Sequence, residues 1–249
     1  MTQWLGRAGV SAQLCRKDRG ARAQPAEWRH PKCDHTLKPM YAGIDGCREG
    51  WVAFVLPEER VIEGCRTFAD VLAAIGPVQV AGVDMPLWAP ERGQREAELQ
   101  ARTALGPHRA SLFITPTRAA LAAHTQAQAS EINRRHGGTG VSAQSFSLRT
   151  KIAEVAATST DLEIIEVHPE LTFHLLGPVA HRKRSWAGIR ERVAVLESQG
   201  LRPQRWRCGN WAAADDTLDA AAAALSARRY ARGEAERFGS IEGDQPIFA

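Results

Sequence analysis

The chain has 249 residues, 44% of them hydrophobic and 24% charged. That make-up fits a soluble globular chain and excludes a fibrous or low-complexity one. The net charge of +4 is uneven: residues 1–39 hold eight Lys/Arg and three acids, which leaves the rest of the chain at −1 and excludes a uniformly basic nucleic-acid-binding body. No apolar run approaches the roughly 20 residues of a membrane helix, and the first 30 residues lack the apolar centre of a signal peptide. The expected location is therefore cytoplasmic, with no membrane partner.

Residues 1–39 show neither helix nor strand periodicity and mix Arg, Gly, Pro and isolated Trp. They read as a disordered extension, or as a mis-assigned start, with Met40 as the alternative. His30-x-x-Cys33-x-His35 offers three metal-ligand types without a fourth, and reads as a solvated tail. The five cysteines (Cys15, Cys33, Cys47, Cys65, Cys208) include no Cys-x-x-Cys pair. An odd number points to a reducing compartment and not to a disulfide framework.

From residue 40 the pattern is regular, and 40–249 reads as one domain. Strands are expected at 41–45, 51–56 and 61–65, joined by short turns as an antiparallel meander. Thr67 is an N-cap for a helix over 68–75, which Gly76-Pro77 ends. Residues 78–83 form an almost wholly apolar strand, as a strand buried on both faces requires. A helical insertion follows at about 91–158, with helices expected over 91–105, 116–129 and 142–157. His136-Gly-Gly-Thr-Gly140 lacks the Gly-Lys-Ser/Thr ending of a phosphate-binding P-loop. Strand character returns at 162–167, Pro169 suits a first helical position, and helices follow at 186–199 and 212–232. This order predicts an α/β fold: a mixed five-stranded sheet with helices on both faces and a helical insertion after the fourth strand. It is the layout of the ribonuclease-H-like fold.

Acidic residues punctuate this layout. Asp45 closes the first strand and Asp84 the fourth, and these strands are expected to be parallel neighbours. Asp216 and Asp219 lie three apart, on one face of the last helix, and Ala220–Ala224 give that helix a small-residue surface for close approach to the sheet. Buried carboxylates are costly unless paired or metal-bound. Several together make a site for two Mg²⁺ or Mn²⁺ ions, as used in phosphoryl displacement. The plainer readings are an Asp45-Gly46 turn and a cap or helix-dipole role for Asp215 or Asp216. Glu166 and His168, two apart in the fifth strand, share a face; His168 is a candidate metal ligand or proton shuttle, or a strand-end His bonded to a carboxylate. Arg102, Arg109 and Ser111 are candidates for phosphate binding, or else form a solvated helix end. Lys151 fits either role, and Arg182-Lys-Arg184 reads as a solvated loop.

Residues 41–52 (Tyr-Ala-Gly-Ile-Asp-Gly-Cys-Arg-Glu-Gly-Trp-Val), Val83-Asp-Met-Pro86, the stretch from Arg102 through Ser111-Leu-Phe113 to Pro116-Thr-Arg118, Glu166-Val-His-Pro-Glu-Leu171 and Asp215-Asp-Thr-Leu-Asp-Ala220 resemble the family called domain of unknown function 429. The resemblance spans about 40–248 and implies a ribonuclease-H-like nuclease. The acidic pair on the last helix is also similar to that of Holliday-junction resolvases, which implies metal ligation by Asp45, Asp84, Asp216 and Asp219. Asp84 departs from the wider fold, where Glu is common. The implied partners are nucleic acid or a phosphorylated small molecule. The alternatives are a non-catalytic ligand- or metal-binding module and, less favoured because a second similar half is missing, a phosphotransferase.

Overall fold

Short strands rich in Val, Ile, Trp and Phe open the domain, and their alternation decides which core each side chain joins. The computed structural model describes residues 39–240 and 245–249. Strands β1 (Tyr41–Cys47), β2 (Gly50–Leu56) and β3 (Arg60–Cys65) form an antiparallel meander. Helix α1 (Phe68–Ile75) starts at a capping box in which the Thr67 side chain and Asp70 satisfy each other's backbone N–H groups. β4 (Val80–Val83) then runs parallel to β1.

The insertion holds α2 (Glu96–Leu105), α3 (Arg118–Leu121), α4 (Gln126–Arg135), α5 (Ala143–Ser147) and α6 (Arg149–Ala157). Where one helix is expected over 116–129, there are two. The Thr125 hydroxyl accepts from the Gln128 N–H and starts α4 afresh, as N-capping side chains do. β5 (Glu163–Val167) pairs parallel with β4, and α7 (Pro169–Leu176), α8 (Trp186–Ser198) and α9 (Ala214–Ala231) follow. The chain closes with β6 (Arg237–Phe238) and β7 (Ile247–Phe248).

The sheet order is β3-β2-β1-β4-β5-β7-β6. It is mixed and has seven strands, not the five expected. The two extra strands have two residues each, too few for a period-2 pattern to register. All described residues belong to one unit, Lys38–Ala249. The expected tail over 1–39, its start at Met40 and the His30–Cys33–His35 group lie outside the described residues, apart from Pro39 and Met40 themselves. Among the described residues no helix is long and apolar enough to cross a membrane.

Two cores flank the sheet. Tyr41, Val52, Phe54, Ile165 and Val167 pack under α7, α8 and α9. Ile44, Trp51, Val55 and Val83 pack under α1 and α6 on the other face. α9 sits unusually low on its face because Gly43 and Gly82, paired in register across β1 and β4, meet its alanines. A Cβ on Gly43 would lie 2.0 Å from the Ala220 carbonyl oxygen, and one on Gly82 2.6 Å from that of Ala223. Glycine on the sheet and alanine on the helix leave backbone against backbone. This contact positions the acidic residues at the start of α9.

Candidate metal centre

Asp45 shares the α9-facing side of β1 with Tyr41 and Gly43 by strand alternation. It does not end the strand as expected. Pairing with β2 continues to Cys47↔Gly50, because a two-residue turn keeps the hairpin in register. The neighbour β4 stops at Val83, and Asp84 follows with its N–H on the Ile44 carbonyl, 2.9 Å away. Asp219 lies on α9, immediately before the Ala220 carbonyl that faces Gly43. The three side chains each offer an oxygen within 4.8 Å of the others, a group that could hold a metal ion. Asp45 and Asp219 are buried and Asp84 is partly open, so the group has one accessible side.

The electrostatics are those of crowded anions. Burial, then the charges of Asp84 and Asp219, push the Asp45 carboxyl well above its usual range. Burial also raises Asp219, to about 7, against the opposing pull of Lys183. The Asp219 Oδ1 atom is buried without a hydrogen-bond partner, while Oδ2 accepts from Lys183 Nζ. The Lys183 ammonium loses hydration by burial, but Asp219, Asp45 and Asp84 outweigh that loss and hold it charged.

The other acids of α9 have different occupations. Asp216 turns back to the Ala213 N–H at 3.3 Å; it caps the helix and is not part of the three-carboxylate group. Asp215, the other candidate for the cap, is instead buried and accepts from Arg184 Nε at 2.9 Å, with Lys183 Nζ 3.9 Å away. The cap falls to Asp216 because it is the third helical residue, the one whose side chain reaches back to the residue before the helix.

Glu166 and His168 do not act as a pair sharing a strand face. β5 ends at Val167, and His168 precedes the first turn of α7. Its Nδ1 makes a long contact of 3.4 Å with Asp84 Oδ1, and its Nε2 is buried without a partner. Glu166 alternates away from Ile165 and Val167 and takes a bidentate bond from Arg95 at 2.8 Å and 2.8 Å, plus the Leu87 N–H at 3.1 Å. Asp84, Glu166 and His168 nevertheless line one small crevice, together with Met85 and Phe113.

The expected phosphate binders make local contacts. Arg102 donates to the Leu112 carbonyl at 3.0 Å, the Ser111 hydroxyl donates to the His108 carbonyl at 2.9 Å, and Arg109 is exposed. Lys151 donates to the Gly50 carbonyl at 2.6 Å and lies over the Trp51 ring. Lys183 is the residue that sequence reasoning passed over. It sits inside a triplet read as solvated, and a loop has no periodicity to report on its facing. The one available signal was indirect: buried acids in number require a cation among them.

A mixed α/β sheet in which β1, the end of β4 and the last helix bring three carboxylates together defines a candidate metal-binding protein. The chain belongs to the family described as "Protein of unknown function (DUF429)", whose profile matches residues 43–242. No match is found among curated proteins or among solved structures.

Proposed function

We propose that the protein is a metal-dependent phosphodiesterase of ribonuclease-H-like architecture, acting on nucleic acid or a phosphorylated small molecule. The order β3-β2-β1-β4-β5, antiparallel and then parallel, supports that architecture, with β6 and β7 added at one edge. The observation that carries the function is the gathering of Asp45, Asp84 and Asp219, with one Asp219 oxygen buried and unpaired. An all-oxygen donor set suits a hard cation, Mg²⁺ or Mn²⁺. The residues present therefore fit the ion, and Asp45, Asp84 and Asp219 would hold it.

Bound there, the ion supplies polarisation of a phosphoryl oxygen and a more acidic water. Asp45 and Asp219, buried and fixed by β1 and α9, keep the ligand oxygens in place. Asp84, on the open side, meets the substrate first. His168 would position Asp84 through Nδ1, the ring atom that faces the group. The contact is long and is expected to tighten when substrate binds. Arg184, next to Lys183 and largely exposed, is better placed than Arg102 or Arg109 to meet a phosphate.

The test is hydrolysis of duplex DNA, RNA, branched junctions and a small phosphodiester with Mg²⁺ or Mn²⁺. Asp45→Asn is expected to lower the rate by more than about 100-fold, since loss of even an outer-shell partner costs roughly 10–100-fold. An unchanged rate ends the assignment. A non-catalytic binding module remains a second reading, favoured by Lys183 already partly neutralising the acids. It predicts Mn²⁺ or ligand binding without hydrolysis of any of these substrates.

A further inference from the structure

The loop between α7 and α8 is built to deliver one side chain. Arg192, itself buried, donates to the His181 carbonyl at 3.2 Å and the Gly188 carbonyl at 2.9 Å, and is clamped by both oxygens of Glu170 at 2.7 Å. Glu191 accepts the N–H groups of Ala180 and His181 at 3.0 Å and 2.9 Å. The Ser185 N–H closes a turn on the Arg182 carbonyl at 2.9 Å, and its hydroxyl caps α8 at Gly188. Gly188 has to be glycine, because a Cβ there would stand 2.0 Å from the Arg182 oxygen. Both ends of the turn are thus fixed. Of its three basic residues, Arg182 and Arg184 are exposed and Lys183 turns inward to Asp219.

We propose that Lys183 is the resident cation of the acidic centre and that it limits the centre to a single divalent ion. This rests on the metal-binding reading above and departs from the two-ion site that the sequence suggested. The three carboxylates carry three formal negative charges, and Lys183 leaves two, the charge of one divalent ion. The additional carboxylates that a second ion would use are engaged elsewhere, Asp216 on the Ala213 N–H and Asp215 on Arg184. Lys183 occupies Asp219 Oδ2 and leaves Oδ1 for the ion. A second ion about 4 Å from the first, as two-ion centres require, would compete with the ammonium for Asp219 and be repelled by it.

Isothermal titration of the full chain with Mn²⁺ tests this, with thermal melting to confirm that each protein is folded. The wild type and Lys183→Arg are expected to bind one ion. Lys183→Met is expected to bind a second ion, or to bind the first at least about tenfold more tightly, because a positive charge in contact with the site is gone. Two ions in the wild type, or one ion at unchanged affinity in Lys183→Met, overturns the inference and leaves the metal site standing. No uptake by any of the three proteins overturns the metal site, and the inference with it.

Discussion

Two groups of carboxylates, one around Arg95 and one around Asp45, are completed differently. Around Arg95, Glu166 takes both arms of the guanidinium and Glu98 takes a third contact at 3.3 Å. The Thr115 N–H bonds both Glu98 oxygens at 3.1 Å, and Arg95 also reaches the Gln245 carbonyl at 3.0 Å. That group ties the insertion to β5 and to the C-terminal segment. In the Asp45 group three carboxylates share one lysine, and one buried oxygen has no partner. Buried charge is tolerable when hydrogen bonds saturate it. In the first group every carboxylate oxygen has a partner within the chain, whereas in the second an Asp219 oxygen has none. The contrast separates a structural knot from a candidate binding site of similar composition.

Removing a charge from each group should therefore act with opposite sign. Arg95→Met strands Glu166 and Glu98 and is expected to cost about 3–5 kcal/mol, a fall in Tm of roughly 10 °C for a domain of this size. Asp45→Asn, in metal-free protein, removes one of three crowded anions and is expected to raise Tm. Thermal melting in chelator measures both. The distinction fails if Asp45→Asn is as damaging as Arg95→Met.

A smaller effect tests what assembles the Asp45 group. Gly43→Ala sets a methyl 2.0 Å from the backbone of α9. Overpacking of this kind costs about 1–3 kcal/mol, and the helix must lift to relieve it. Asp219 moves with the helix, so Mn²⁺ affinity should fall along with Tm. A variant that loses stability but binds Mn²⁺ as the wild type does would show that the flush contact is not what places Asp219.

Much of this was legible in the sequence, for identifiable reasons. The hairpin, the capped α1, the apolar β4 and the Ala-rich α9 each carry a local signal, and Asp45, Asp84 and Asp219 stand at positions those signals mark. What the sequence left open was decided by contacts that helix and strand periodicity do not report. Asp216 and Asp219 share a helical face, but capping claimed the first of them. Glu166 faces Arg95 because β5 ended at Val167 and its register with β4 set Val83 opposite Glu166, and no residue within β5 states that. Lys183 was missed because its inward turn is imposed by Arg192 and Gly188, on the next helix.

The last expected effect is a matter of pH and probes the Arg95 group without breaking it. Burial raises the Glu98 carboxyl to about 7, although Arg95 and Thr115 oppose the shift. The folded chain therefore keeps the Glu98 proton to higher pH than the unfolded chain, which releases it near 4.5. Stability contributed by this residue falls as pH rises between those two values and is flat outside them. Glu98→Gln retains a carbonyl oxygen for Thr115 but cannot ionise, so it escapes the fall. The Tm of the variant minus that of the wild type should become more positive from pH 4.5 to pH 7, by on the order of a few degrees. Lys183 and the Asp45 group titrate in both proteins and cancel in the difference. A difference that stays level across that range would mean that Arg95 holds Glu98 fully ionised, and that the knot is a stronger ion pair than its burial suggests.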